Sequence, residues 1–222
     1  MKQQRNTVIG LVLLSCAALA LIEAVVRPGY VLKSLCKILL FGGSAAFYAL
    51  RYRRDLLKTL LSRSQLHHAL VLAAAVYGGI LAGFFLLRPF IDLDSISRAL
   101  MEKEHISAAN FLFVALYISL CNSFLEELFF RGLAYLMLRE FCSHRFAFGF
   151  SALVFALYHI FILHGWFSLW MFALLLLGLF IGGSLFSFLD RKGSLYPSWM
   201  VHIAANLAIN TVGLIMFGIL PL

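Results

Sequence analysis

Six polar side chains stand inside long apolar stretches of this sequence, and their types suit acid–base chemistry. They are Glu126, Glu127, Arg131, His159, His202 and Asn206. Carboxylates and imidazoles are among the groups that most often transfer protons in enzymes. An ionisable group costs several kcal/mol inside a bilayer, so such residues are candidates for function wherever they occur in a membrane span.

The spacing of these residues predicts some of their partners. Glu127 and Arg131 are four residues apart, which places them on one helix face and predicts a bidentate ion pair. Glu126 is rotated by about 100° from Glu127, and no cation follows it at that spacing. His202 and Asn206 also share a helix face, and that pair alone is equally typical of a hydrogen bond between helices.

The composition indicates which elements must carry these residues. The chain has 222 residues, of which 63% are hydrophobic and 13% charged, and its mean hydropathy is +0.95. Soluble domains contain roughly 45–50% apolar and about 25% charged residues. A soluble enzyme, a soluble nucleic-acid-binding protein and a disordered chain are therefore excluded. We predict an all-α polytopic transmembrane bundle without a soluble domain.

Seven apolar runs are long enough to span a bilayer. They cover about residues 7–26, 31–50, 69–87, 106–138, 146–163, 166–189 and 197–217. The first run continues ten residues beyond Cys16, which predicts a retained span rather than a signal peptide. Residues 88–105 mix charged and apolar side chains, which is typical of an interfacial segment.

The distribution of Lys and Arg predicts the orientation. With the N-terminus inside, the inner segments hold eleven of these residues and the outer segments hold four. This bias predicts a multi-pass protein of the plasma membrane with a cytoplasmic N-terminus and an external C-terminus. The net charge of +8 is attributed to this orientation, so we expect contact with membrane lipids and none with nucleic acid. Lys33 and Lys37 lie within a span and are expected to extend to the interface.

The candidate residues lie at a common depth in this topology. Glu126, His159 and His202 are 13, 14 and 10 residues from the nearest basic residue on the inner side. At a rise of 1.5 Å per residue, these separations correspond to roughly 15–21 Å. We therefore predict that one carboxyl and two imidazoles meet in a single layer and form an acid–base constellation.

Three motifs in this order resemble those of the CPBP intramembrane proteases. They read Glu126-Glu127-x-x-x-Arg131, Phe155-x-x-x-His159 and His202-x-x-x-Asn206. The family includes CAAX-processing endopeptidases, bacteriocin-processing or immunity proteins, and proteins once called abortive-infection proteins. The resemblance covers about residues 115–215. It implies an N-terminal three-span region with an interfacial loop over 1–105 and a CPBP-like catalytic four-span core over 106–222.

The resemblance also implies a glutamate-type endopeptidase that cuts a membrane-associated protein or peptide. Glu126 and His159 would activate a water for attack on a peptide carbonyl. His202 and Asn206 would hold the oxyanion of the tetrahedral intermediate, while Glu127 and Arg131 would shape the site. No cofactor is expected on this interpretation.

Three alternatives remain open. Glu126, His159 and His202 are a possible His₂Glu zinc site, although HExxH is lacking and no carboxylate is visibly placed to orient the histidines. A catalytically silent scaffold or bacteriocin-immunity protein would bind a peptide in the same pocket. A proton-coupled transporter would use Glu and His as a relay, but the sequence lacks the paired repeats usual in transporters.

Overall fold

Nine helices make up the part of the chain that the structure, a computed structural model, describes, namely residues 2–62 and 66–221. They are α1 (Lys2–Val26), α2 (Tyr30–Tyr52), the short α3 (Leu56–Leu60), α4 (His67–Phe90), the interfacial α5 (Leu93–Glu104), α6 (Phe111–Glu140), α7 (His144–Leu163), α8 (Leu169–Lys192) and α9 (Tyr196–Met216). All except α3 and α5 are long and apolar enough to cross a bilayer. The predicted all-α bundle of about seven spans is confirmed.

The segment between α4 and α6 forms the helix expected at the interface. Asp92 caps the start of α5, because its side chain accepts a hydrogen bond from the Ser95 backbone N–H at 2.9 Å. At the other end, His105 takes a left-handed conformation that stops the helix (φ 57°). The fourth span begins at Phe111 rather than at about residue 106. The residues before it form a turn, in which the Asn110 side chain accepts a hydrogen bond from the Ser107 N–H at 2.8 Å.

Helix α6 lies at the centre of the bundle and carries the first motif. Every side chain from Glu126 to Leu138 is buried. Two stretches of α6, Ile118–Asn122 and Glu127–Met137, are wound as π-helix, in which each turn takes an extra residue. Phe41 of α2 stacks on Phe129 at a centroid distance of 3.9 Å, so the N-terminal helices pack directly against this central helix.

Contacts cross the predicted boundary at residue 105 along much of the bundle. Helix α4 packs along α9, where the Tyr77 and Thr211 hydroxyls lie 3.1 Å apart. The N-terminal region is therefore placed to contribute to any site on α6, and the division into two regions stays a prediction.

The orientation predicted from the charge count can be tested at two exposed positions, Arg54 after α2 and Ser95 in α5. Arg63, one of the basic residues counted on the inner side, lies outside the described residues. Cysteines introduced singly at these two positions, in a protein lacking the four native cysteines, should react with an impermeant thiol reagent from opposite sides. Labelling of both from the same side would contradict the topology.

Candidate active site

His202 joins the two adjacent glutamates of α6. Its Nδ1–H donates to Glu127 Oε1 at 2.7 Å, and its Nε2 faces Glu126 Oε2 at 3.7 Å. Both carboxyl groups are almost completely excluded from solvent, with 2% of Glu126 and none of Glu127 exposed. Although the two residues are neighbours on α6, both reach the same imidazole of α9. The predicted meeting of the first and third motifs is thus present in the structure.

Arg131 is held differently from the bidentate pair that its spacing predicted. Its Nη1 lies 3.4 Å from Glu127 Oε1, and this oxygen also accepts the shorter bond from His202. The guanidinium is fully buried between the rings of Phe155 and Phe186, at 4.3 and 4.9 Å from their centroids. The bidentate prediction is therefore wrong in its geometry, because Glu127 divides its contacts between two partners and aromatic faces surround the cation.

Glu126 has a cationic partner that its own helix does not supply. Lys37 Nζ of α2 lies 3.0 Å from Glu126 Oε1 and 2.8 Å from Asn122 Oδ1. Asn122 also donates to the same Glu126 oxygen at 3.0 Å. The expectation that Lys37 extends to the interface is wrong. No cation stands four positions after Glu126 on α6, as its sequence showed, and its cationic partner comes from another helix instead. The reason is tertiary packing, since α2 lies against α6 and brings together residues 89 positions apart.

His159 lies beside this cluster at a break in α7. The α-helical part of α7 ends at Tyr158, and His159 Nδ1–H donates to the Phe155 carbonyl at 2.7 Å. In the neutral ring, that bond places the proton on Nδ1 and leaves Nε2 free to accept a hydrogen bond. The Phe155 ring contacts both imidazoles, with centroids 4.8 Å from His159 and 6.0 Å from His202. Within residues 2–62 and 66–221, no hydrogen bond joins His159 to Glu126.

Asn206 lies one turn beyond His202 and contacts the backbone of α6. Its amide donates to the Ile118 carbonyl at 3.1 Å, and Asn210 donates to the Ala115 carbonyl at 3.1 Å. Trp199, on the same face of α9, donates to the Leu120 carbonyl at 3.2 Å. Two of these carbonyls belong to the π-wound stretch of α6, where the helical hydrogen bonding is altered. Asn206 thus helps to hold α9 in register with α6.

The comparison with protein families agrees with this geometry. Residues 108–208 match the family described as type II CAAX prenyl endopeptidase Rce1-like. The resemblance to the CPBP family is thereby confirmed. Searches of curated proteins and of solved structures gave no match. All six polar residues of the three motifs fall within the matched segment, whereas Lys37 lies well before it.

Sequence reasoning missed the roles of two charged residues near the CPBP motifs, the half-buried Lys37 and the fully buried Asp190. Lys37 is the seventh residue of the apolar run 31–50. The cost of an ionisable group inside a membrane span, which singled out the glutamates, would also have made Lys37 a candidate for function. Asp190, which lies between the apolar runs 166–189 and 197–217, is fully buried and accepts hydrogen bonds from the Ser198 N–H at 3.1 Å and from its hydroxyl at 2.6 Å. Asp190 therefore anchors the start of the helix that carries His202.

The residues proposed for zinc are poorly arranged for a metal ion. In the described part of the chain, no three His, Cys, Asp or Glu side chains are grouped as metal ligands. The Lys37 ammonium lies against Glu126 Oε1, where it would repel a divalent cation bound to the same carboxylate. The sequence showed no carboxylate placed to orient the histidines, but the structure does: Glu127 accepts a hydrogen bond from His202, as carboxylates do with metal-bound histidines. The four cysteines are free thiols.

Proposed function

We propose that this chain is a glutamate-type intramembrane endopeptidase that cuts a membrane-associated protein or peptide near its terminus. The observation that carries the proposal is that Glu126 Oε2 lies 3.7 Å from His202 Nε2 and that both side chains are buried. The two atoms are too far apart for a direct hydrogen bond, and a water beside them could contact both. Such a water would lie within reach of Glu126, the proposed base, and of His202, the proposed donor to the oxyanion.

Glu126 carries out both proton transfers in the proposed reaction. Glu126 Oε2 takes a proton from the water as the water oxygen attacks the peptide carbonyl carbon. When the tetrahedral intermediate collapses, the C–N bond breaks and Glu126 returns the proton to the leaving amine. The role of His159 in its neutral form, with the proton on Nδ1, is to accept a hydrogen bond from the attacking water at Nε2 and help to orient it.

The oxyanion, which forms on the carbonyl oxygen as water attacks the carbon, requires hydrogen-bond donors. His202 can donate from Nε2 only when both ring nitrogens carry protons, and the Glu127 carboxylate 2.7 Å from Nδ1 stabilises that imidazolium. Asn206 has two amide N–H groups, one of which is used on the Ile118 carbonyl. The second is the donor we assign to the oxyanion, and one such donor is commonly worth about 3–4 kcal/mol.

The proposed mechanism uses no metal, so activity should survive stringent chelation. The measurement is cleavage of a lipid-anchored peptide by the protein in proteoliposomes, before and after treatment with a membrane-permeant chelator. We expect equal rates. Inactivation by the chelator followed by recovery on addition of zinc would contradict the metal-free mechanism and would make Glu126, His159 and His202 the ligands to test.

A further inference from the structure

Lys37 contacts the proposed catalytic carboxylate from outside the segment that carries the family motifs. Its Nζ donates to Glu126 Oε1 at 3.0 Å and lies 5.2 Å from the centre of the Tyr158 ring. Residue 37 belongs to α2, whereas the family match begins at residue 108. The first half of the chain therefore supplies a charged group to a site whose other polar residues lie on α6, α7 and α9.

Lys33, one turn before Lys37 on α2, binds different carboxylates. The two lysines are four residues apart and lie on one face of α2. Lys33 binds two other carboxylates, Glu23 and Glu104, each at 2.6 Å. Each lysine thus has its own acidic partners, and of the two it is Lys37 that contacts Glu126.

The contacts of Lys37 make the two oxygens of Glu126 unequal. Oε1 accepts hydrogen bonds from Lys37 and from Asn122, both at 3.0 Å. Oε2 faces His202 Nε2 and accepts no hydrogen bond from the part of the chain that the structure describes. Two donors on one oxygen hold the carboxylate plane in place and direct the lone pairs of the other oxygen toward the space where the water is proposed.

We propose that Lys37 is a positioning residue that fixes Glu126 so that Oε2 is the oxygen that takes the proton. The inference rests on the proposed function, since it assigns the base to one atom of Glu126. It also gives α2 a defined task, which is to complete the catalytic site. Misplacement of a catalytic group by about 1 Å can cost 10²-fold in rate, so the effect should be large.

The test compares three variants in the proteoliposome cleavage assay. Lys37→Met should lower kcat by about 10- to 100-fold and leave KM nearly unchanged, because orientation matters most in the transition state. Lys37→Arg should recover part of the loss, since a guanidinium also donates to a carboxylate. Lys33→Met is the matched control on the same helix face and should retain the kcat of the native protein.

A second variant covers the case in which Lys37→Met does not fold. Asn122→Ala removes the other donor to Oε1 without unpairing a charge, and it should lower kcat by a smaller factor with KM unchanged. An unchanged kcat in Asn122→Ala would overturn the inference, as would an unchanged kcat or a rise in KM alone in folded Lys37→Met. If Glu126→Gln is inactive in either case, the proposed function still stands. Full activity in Glu126→Gln would overturn both.

Discussion

Replacing Glu126 with Gln should lower kcat/KM for peptide cleavage by at least about 10²-fold, because an amide of the same shape cannot take a proton from water. The melting temperature in detergent should also fall, since the substitution leaves the Lys37 ammonium 3.0 Å from an uncharged group. Lys37 retains some exposure, so part of its charge can be solvated and the loss of stability should be moderate. The measurement is cleavage and melting of the same purified samples.

Glu104→Gln provides the matched control for this loss. It also removes a carboxylate that is paired with a lysine of α2, namely Lys33 at 2.6 Å, but it lies at the end of α5 away from His202. We expect it to lose some stability and to keep its cleavage rate. Full activity in Glu126→Gln, or an equal loss of activity in Glu104→Gln, would contradict the assignment of Glu126 as the base.

The second large effect is a loss of stability, which we expect alongside a loss of activity because Glu127 also supports the His202 imidazolium. Glu127→Gln leaves the Arg131 guanidinium without its adjacent carboxylate, and none of Arg131 is exposed. Breaking a buried pair of this kind typically costs about 3–5 kcal/mol. The amide introduced by this substitution can still accept a hydrogen bond from His202 Nδ1, so the loss should appear first as a lower melting temperature and a lower yield of folded protein.

Removing both charges should reverse part of that loss. In Glu127→Gln/Arg131→Met, a thioether replaces the guanidinium between Phe155 and Phe186, where sulfur packs favourably against rings. We expect the double variant to melt above Glu127→Gln, without the activity of the native protein. A Glu127→Gln protein that melts like the native one, or a double variant that melts below it, would show that the pair is not the stabilising element.

The spans were predictable because hydrophobic run length and helix rise are local properties of the sequence. The common depth of Glu126 and His202 was predictable for the same reason, since it follows from counting residues along straight helices. The start of α6 was placed about five residues too early, because Asn110 forms a turn in sequence that is still apolar enough to read as a span. Hydropathy alone does not register such a turn.

The contacts within the site depended on packing that spacing does not encode. Lys37 meets Glu126 only because α2 lies against α6, and no rule based on neighbouring positions relates residues 89 apart. The π-helical winding of α6 from Glu127 to Met137 departs from the 3.6-residue turn on which the bidentate Glu127–Arg131 pair was predicted. The burial of Asp190 was not predictable either, because it lies between two apolar runs and its partner Ser198 is reached only across a turn.

The most direct test of the central claim, that this chain hydrolyses peptide bonds through Glu126, is a comparison of membrane peptidomes. Cells lacking the protein would be complemented with the native chain or with Glu126→Gln at matched levels, and newly formed protein termini would be quantified by mass spectrometry. We predict a defined set of termini that appears with the native chain and is absent in both the deletion and Glu126→Gln. The same termini with Glu126→Gln, or no difference between the deletion and the native chain, would contradict the claim.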